Sequence, residues 1–162
     1  MAKADEKPGA ETSRIATNRK ARHDYEILDT FEAGIALRGP EVKSLRQGKA
    51  SLGEAFAIVK RGELWLIGCH ISPYAQASRE NSDPLRERKL LLHRVEIARL
   101  EGKVAERGFT LVPLSLYWKS GRAKVELALV RGKKTHDKRE AIKERDERRE
   151  IDRALSAGRK RR

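Results

Sequence analysis

The sequence holds a single cysteine, Cys69, so no disulfide can form within the chain. With only four histidines, scattered along the chain, that lone thiol also argues against a structural zinc set, and no metal or cofactor is expected. No apolar run approaches the roughly 18 residues of a membrane-spanning helix. The first 14 residues, MAKADEKPGAETSR, contain no apolar stretch, which argues against a secretory signal and for a cytoplasmic setting. A glycine-rich phosphate loop is also missing, because the Gly-Lys pairs at 48–49, 102–103 and 132–133 lack the surrounding pattern. Cys69 and His70 are adjacent, but neighbours on a strand point to opposite faces and do not make a nucleophile–base pair. No catalytic residue is expected, and no internal repeat is visible.

Positive charge is abundant. Lys and Arg number 37 against 24 Asp and Glu, a net charge of +13 with a pI near 10.2. Residues 133–162 carry +6 of it, with thirteen basic and seven acidic side chains. Their apolar residues are Ala141, Ile142, Ile151, Ala154, Leu155 and Ala157. Such a segment cannot bury enough surface to offset its ordering entropy. It stays solvated or folds against something large and anionic. A membrane surface is not the expected partner, because the tail lacks a broad apolar face. Basic charge clustered at both ends of a small chain indicates nucleic acid.

The length suits one domain with extended ends. Residues 1–14 read as a disordered leader, 15–132 as the folded domain and 133–162 as the tail. After a basic stretch at 15–24, strands are expected at 25–30 and 31–37, with Gly34 marking a bulge or sharp bend. Gly39-Pro40 opens a short helix over 40–47. Two apolar runs, 55–60 and 64–71, flank a turn at 61–63. Residues 74–87 form a long polar loop, and 94–107 shows helical spacing through Ile97, Leu100 and Val104. Residues 110–118 and 123–131 are the clearest strands. Val112, Leu114, Leu116 and Trp118 are expected on one face, and so are Ala123, Val125, Leu127 and Leu129. About six short strands and two or three helices imply a mainly β fold, a small antiparallel barrel of the oligonucleotide-binding type.

Four basic clusters lie along this domain. Asn18, Arg19, Lys20, Arg22 and His23 precede the first of those strands; Lys43, Arg46 and Lys49 lie on or after the short helix. Arg86, Arg88 and Lys89 close the long loop, and Lys133 and Lys134 begin the tail. Arg and Lys suit phosphates, while Asn, His and Arg also stack on or bond to unpaired bases. Glu32 and Glu41 stand beside these cations. Each accepts a bond from a base amino group or a ribose 2′-hydroxyl, orients a nearby Arg, or forms an ordinary salt bridge.

Four motifs carry a family resemblance: ATNRKARHDYEILDTFEAGIALRGPEVKSLRQGKASL (16–52), RKLLLH (88–93), SLYWK (115–119) and GKKTHDKRE (132–140). Together they resemble the bacterial SsrA-binding protein family, also called small protein B, from about residue 15 into the tail. The resemblance implies a non-enzymatic adaptor with an oligonucleotide-binding-type barrel, acting as a monomer. It would bind the tRNA-like domain of transfer-messenger RNA and deliver it to stalled ribosomes. The RNA-binding residues it implies are Asn18, Arg19, Lys20, Arg22, His23, Glu32, Glu41, Lys43 and Lys89. It implies that Lys133, Lys134, His136, Asp137, Lys138 and Arg139 face the small-subunit decoding centre. The tail, disordered when free and helical when bound, would enter the vacant mRNA channel, with His136 stacking on a ribosomal base.

Overall fold

Alternating apolar residues turn this chain into strands whose inner faces share one core. In the computed structural model, which describes residues 12–77, 79, 81–133 and 135–159, nine strands and four helices form. The strands are β1 (Thr12–Thr17), β2 (Tyr25–Ile35), β3 (Ala50–Ser51), β4 (Phe56–Lys60), β5 (Glu63–Ile67), β6 (His70–Ile71), β7 (Arg88–Leu91), β8 (Phe109–Lys119) and β9 (Arg122–Gly132). The helices are α1 (Arg19–Asp24), α2 (Gly39–Arg46), α3 (Arg94–Ala105) and α4 (Thr135–Arg159).

The main sheet runs β1-β8-β4-β5-β7-β2-β9, and β9 also pairs with β8. That last pairing closes a ring of six antiparallel strands, the barrel expected from the sequence. β1 lies outside the ring on the far half of β8, while β3 and β6 form a separate two-stranded ribbon. Ala33, Leu64, Leu66, Leu90, Leu111, Leu116, Val125 and Leu127 fill the barrel core. The turns at Arg61-Gly62 and Ser120-Gly121 each place two consecutive residues at positive φ, which matches the strand twist of tight hairpins.

Several boundaries differ from the sequence reading. The strands expected at 25–30 and 31–37 are one continuous strand, β2. Its bulge falls between Ile27 and Asp29, not at Gly34. Gly34 instead lets β2 meet β7, since a Cβ there would lie 3.2 Å from the Leu91 Cβ. Thr12, Ser13 and Arg14, placed in the leader expected over 1–14, are paired to β8, and residues 1–11 lie outside the described residues. The stretch read as a basic lead-in contains α1. β7 was not expected as a strand.

β8 departs most informatively. A register shift between Pro113 and Ser115 moves its side chains to the other face. Leu111, Leu116 and Trp118 join the barrel core, but Val112 and Leu114 turn outward. There they meet Ala21, Tyr25, Ile27, Ala128 and Val130 in a second, smaller cluster. The four residues expected on one face are therefore split, and the split seats α1 on the outside of the barrel. Ala123, Val125, Leu127 and Leu129 do share the core face.

After Lys133, the described part of the tail is the helix α4, Thr135–Arg159. Local chemistry supplies the reason: Arg148 bonds Glu144 at 3.0 Å and Lys143 lies 4.0 Å from Glu147, both at i,i+4. From Arg139 to Gly158 every side chain is exposed except Ala141.

Candidate nucleic-acid interface

α1 projects a row of cations because its one buried residue, Ala21, anchors it to the outer cluster. Arg19, Lys20 and Arg22 are exposed and His23 is half-buried, 2.9 Å from Asp24. Lys20 reaches Glu54 at 3.3 Å across exposed surface, a pair worth little in water. Exposed Arg19, Lys20 and Arg22 are accessible to phosphates.

Asn18 has a different role. It is 3% exposed, and its side-chain amide donates to Leu52 O at 3.2 Å and Pro113 O at 3.0 Å. Its Oδ1 accepts from the Ala21 N–H, capping α1. Asn18 thus bolts the cationic helix to β8 and the 52–55 segment, and its polar atoms face protein.

Farther along the same outer face, a groove of about 550 Å³ runs between β1, β8, β9 and β2. Thr12, Arg14, Ser115, Tyr117, Lys119 and Glu32 line it, with Glu126 at its floor. Glu32 and Glu126 stand opposite each other in the strand register. Their mutual repulsion is relieved by donors. The Tyr117 hydroxyl and the Lys119 ammonium, at 3.1 Å, bond Glu32, and Ser115 donates to Glu126 at 2.9 Å. Partial burial alone would raise the pKa of Glu32, but the bonds from Tyr117 and Lys119 outweigh it and hold the carboxyl below its ordinary value. Glu32 is therefore an ionised acceptor in a groove where Arg14 and Lys119 balance the two carboxylates, with room for a polar group to dock.

Glu41 is not on that surface. It is 5% exposed and pairs with both Arg86 and Arg88, while its Oε1 accepts the Arg38 N–H at 2.9 Å. Burial would raise its pKa; bonds from Arg86, Arg38 and Arg88 overcome that and lower it. Arg88 is fully buried and also donates to the carbonyls of Cys69, Arg86 and Pro84. This ion triad ties α2 to β7 and to both ends of the loop. Arg86 and Arg88, read as a surface cluster, are largely committed to it. The available signal was the run RKLL, where Arg88 shares the inward face with Leu90. Ser115, Tyr117, Lys119 and Glu126 carried no signal towards Glu32, because β8 and β2 meet only through the fold.

The remaining predicted residues divide between two ends of the barrel. Lys43 on α2 is exposed, and Lys89 bonds Glu63 at 2.9 Å. α1 precedes and α2 follows the 11-residue β2, so they lie roughly 30 Å apart. β9 is antiparallel to β2, with Gly132 opposite Tyr25, which returns the tail to the α1 end. Lys133 N–H donates to Asp24 O at 3.1 Å and its ammonium to Arg22 O at 3.4 Å. Arg139 is exposed on α4. Lys134 lies outside the described residues, as do the side chains of His136, Asp137 and Lys138.

The SmpB protein family model matches residues 15–157. The chain is 60% identical over 147 residues to the SsrA-binding protein of Frankia casuarinae, covering 90% of this chain and 92% of the relative. It is 62% identical over 141 residues to the SsrA-binding protein of Acidothermus cellulolyticus, covering 87% and 89%. A solved structure described as "tmRNA-SmpB: a journey to the center of the bacterial ribosome" matches with a TM-score of 0.64 and 55% identity, covering 78% of this chain and 92% of that one. A family match over most of the chain, relatives at about 60% identity and a solved structure at 55% identity together show that the chain belongs to the SmpB protein family.

Proposed function

We propose that this protein is an RNA-binding adaptor of trans-translation, which binds the tRNA-like domain of transfer-messenger RNA and brings it to stalled bacterial ribosomes. The observation that carries the reading is the extended likeness to SsrA-binding proteins and to a solved SmpB chain studied with transfer-messenger RNA and the ribosome. The outer face of the barrel fits the role physically. Exposed Arg19, Lys20 and Arg22 offer phosphate contacts, and Glu32, ionised in its groove, offers an acceptor for a base amino group or a 2′-hydroxyl.

The protein works by binding rather than by catalysis. Cys69 is buried, and burial pushes its thiol up to about 11, far from a reactive thiolate at neutral pH. The tail, rooted beside α1 by Lys133, is a second reader that enters the vacant mRNA channel, with Lys133, Lys134, His136, Asp137, Lys138 and Arg139 at the decoding centre. The adaptor works in the cytoplasm.

Competition binding of the tRNA-like RNA against ordinary tRNA, at one near-physiological salt concentration, tests the first step. The tRNA-like RNA wins if the reading holds; equal competition overturns it. Deleting residues 133–162 leaves that binding in place and abolishes rescue of stalled ribosomes.

A further inference from the structure

At the end of β2 remote from α1 and the tail, α2 and the connection after β6, through Tyr74, Gln76, Ala77 and Arg79, border a groove of about 610 Å³. Gly39, Pro40, Lys43, Tyr74, Gln76, Ala77 and a second cation, Arg79, line it. The Lys43 ammonium sits 5.4 Å from the centroid of the Tyr74 ring. Lys43 is exposed and forms no ion pair among the described residues. The neighbouring carboxylate, Glu41, is already neutralised by Arg86 and Arg88. The groove therefore keeps an uncompensated cation beside an aromatic face.

The ring is fixed from behind. Asn81 closes a double bond pattern on the Tyr74 backbone, accepting from its N–H and donating to its C=O, both at 2.9 Å. Arg38 holds the same turn through Ser82 Oγ at 3.0 Å, and the Tyr74 hydroxyl donates to Gln76 at 2.5 Å. These bonds hold Tyr74 in place before a ligand arrives, which reduces the entropy lost on binding. A fixed aromatic face beside a movable cation is how proteins hold single-stranded nucleic acid: a base stacks on the ring and the cation meets the adjoining phosphate. The cation–π contact is weak at an exposed site, so the ammonium can swing aside as the base takes the ring.

The geometry points to Tyr74 and Lys43 as a stacking-and-phosphate subsite for one unpaired nucleotide of the bound RNA. This rests on the RNA-binding reading above and adds a contact about the length of β2 away from α1. An acidic protein segment would use the cation but has no need of the flat ring.

The test uses the full chain with two probes, transfer-messenger RNA and a short single-stranded RNA, each titrated across a salt series. Tyr74→Ala weakens binding of both about 5- to 150-fold, the effect of losing one stacked base, while Tyr74→Phe stays near wild type. Lys43→Ala lowers the slope of log affinity against log salt by about one. Thermal unfolding of each variant separates lost contact from lost fold. Wild-type binding of transfer-messenger RNA that Tyr74→Ala leaves unchanged overturns the subsite and leaves the function standing. Failure of the wild type to bind that RNA overturns the function; the oligonucleotide then reads the subsite alone, and unchanged binding by Tyr74→Ala overturns it too.

Discussion

Removing Glu41 should destabilise the fold rather than remove an RNA contact. Glu41→Ala leaves Arg88 fully buried with no counter-ion, although three carbonyls still accept from it. Breaking a buried pair from one side costs about 3–5 kcal/mol, because the remaining charge stays desolvated. For a chain of this size that lowers Tm by roughly 6–20 °C. Glu41→Gln keeps the shape and some of the bonds, so its loss is smaller. Acid supplies an independent check. The Glu41 pKa is depressed in the folded state, so its contribution is present above the ordinary value of 4.5 and is lost as pH falls through the lower folded value. Thermal unfolding followed by circular dichroism at neutral and acid pH reads both effects. Wild type loses stability as the pH drops below about 4.5; Glu41→Gln loses correspondingly less. A Glu41→Ala protein with unchanged Tm but weakened RNA binding refutes the reasoning, since Glu41 would then meet RNA directly.

Two further outcomes follow from the same geometry. Asn18→Ala removes the α1 cap and leaves two buried carbonyls without their donor, which costs about 1–3 kcal/mol. Urea denaturation measures it, and an unchanged midpoint rules out the bolting role. The α4 helix rests on i,i+4 pairs worth roughly 0.2–0.5 kcal/mol each. Its amides therefore exchange rapidly in the free protein, as hydrogen exchange with mass spectrometry will read, and become protected on the ribosome; strong protection of the free tail contradicts this.

Much of this protein was legible as a string of residues. Charge clustered in the tail and beside the first strand called for an anionic partner, and short alternating runs called for a small barrel. The hairpin turns at Arg61-Gly62 and Ser120-Gly121 followed from local chemistry, because positive φ is a property of a few residue types at a turn. Long, family-specific motifs carried the identity, and the family match bears that reading out.

What the sequence left open depended on pairing between distant strands. Whether Glu32 and Glu41 were RNA acceptors or salt bridges could not be settled from composition, since both lie among cations. The fold separates them: Glu32 remains on an exposed face with Tyr117 and Lys119, whereas Glu41 is drawn inside by Arg88. Asn18 looked like a polar donor for RNA until β8 and Leu52 came within reach of its amide. The bulge after Pro113 turned two expected core residues outward and so created the seat for α1. The sequence by itself determined composition, periodicity and family, all set by neighbours along the chain. Only the tertiary structure decided which charges stay in water, because desolvation depends on residues that folding brings together from tens of positions apart.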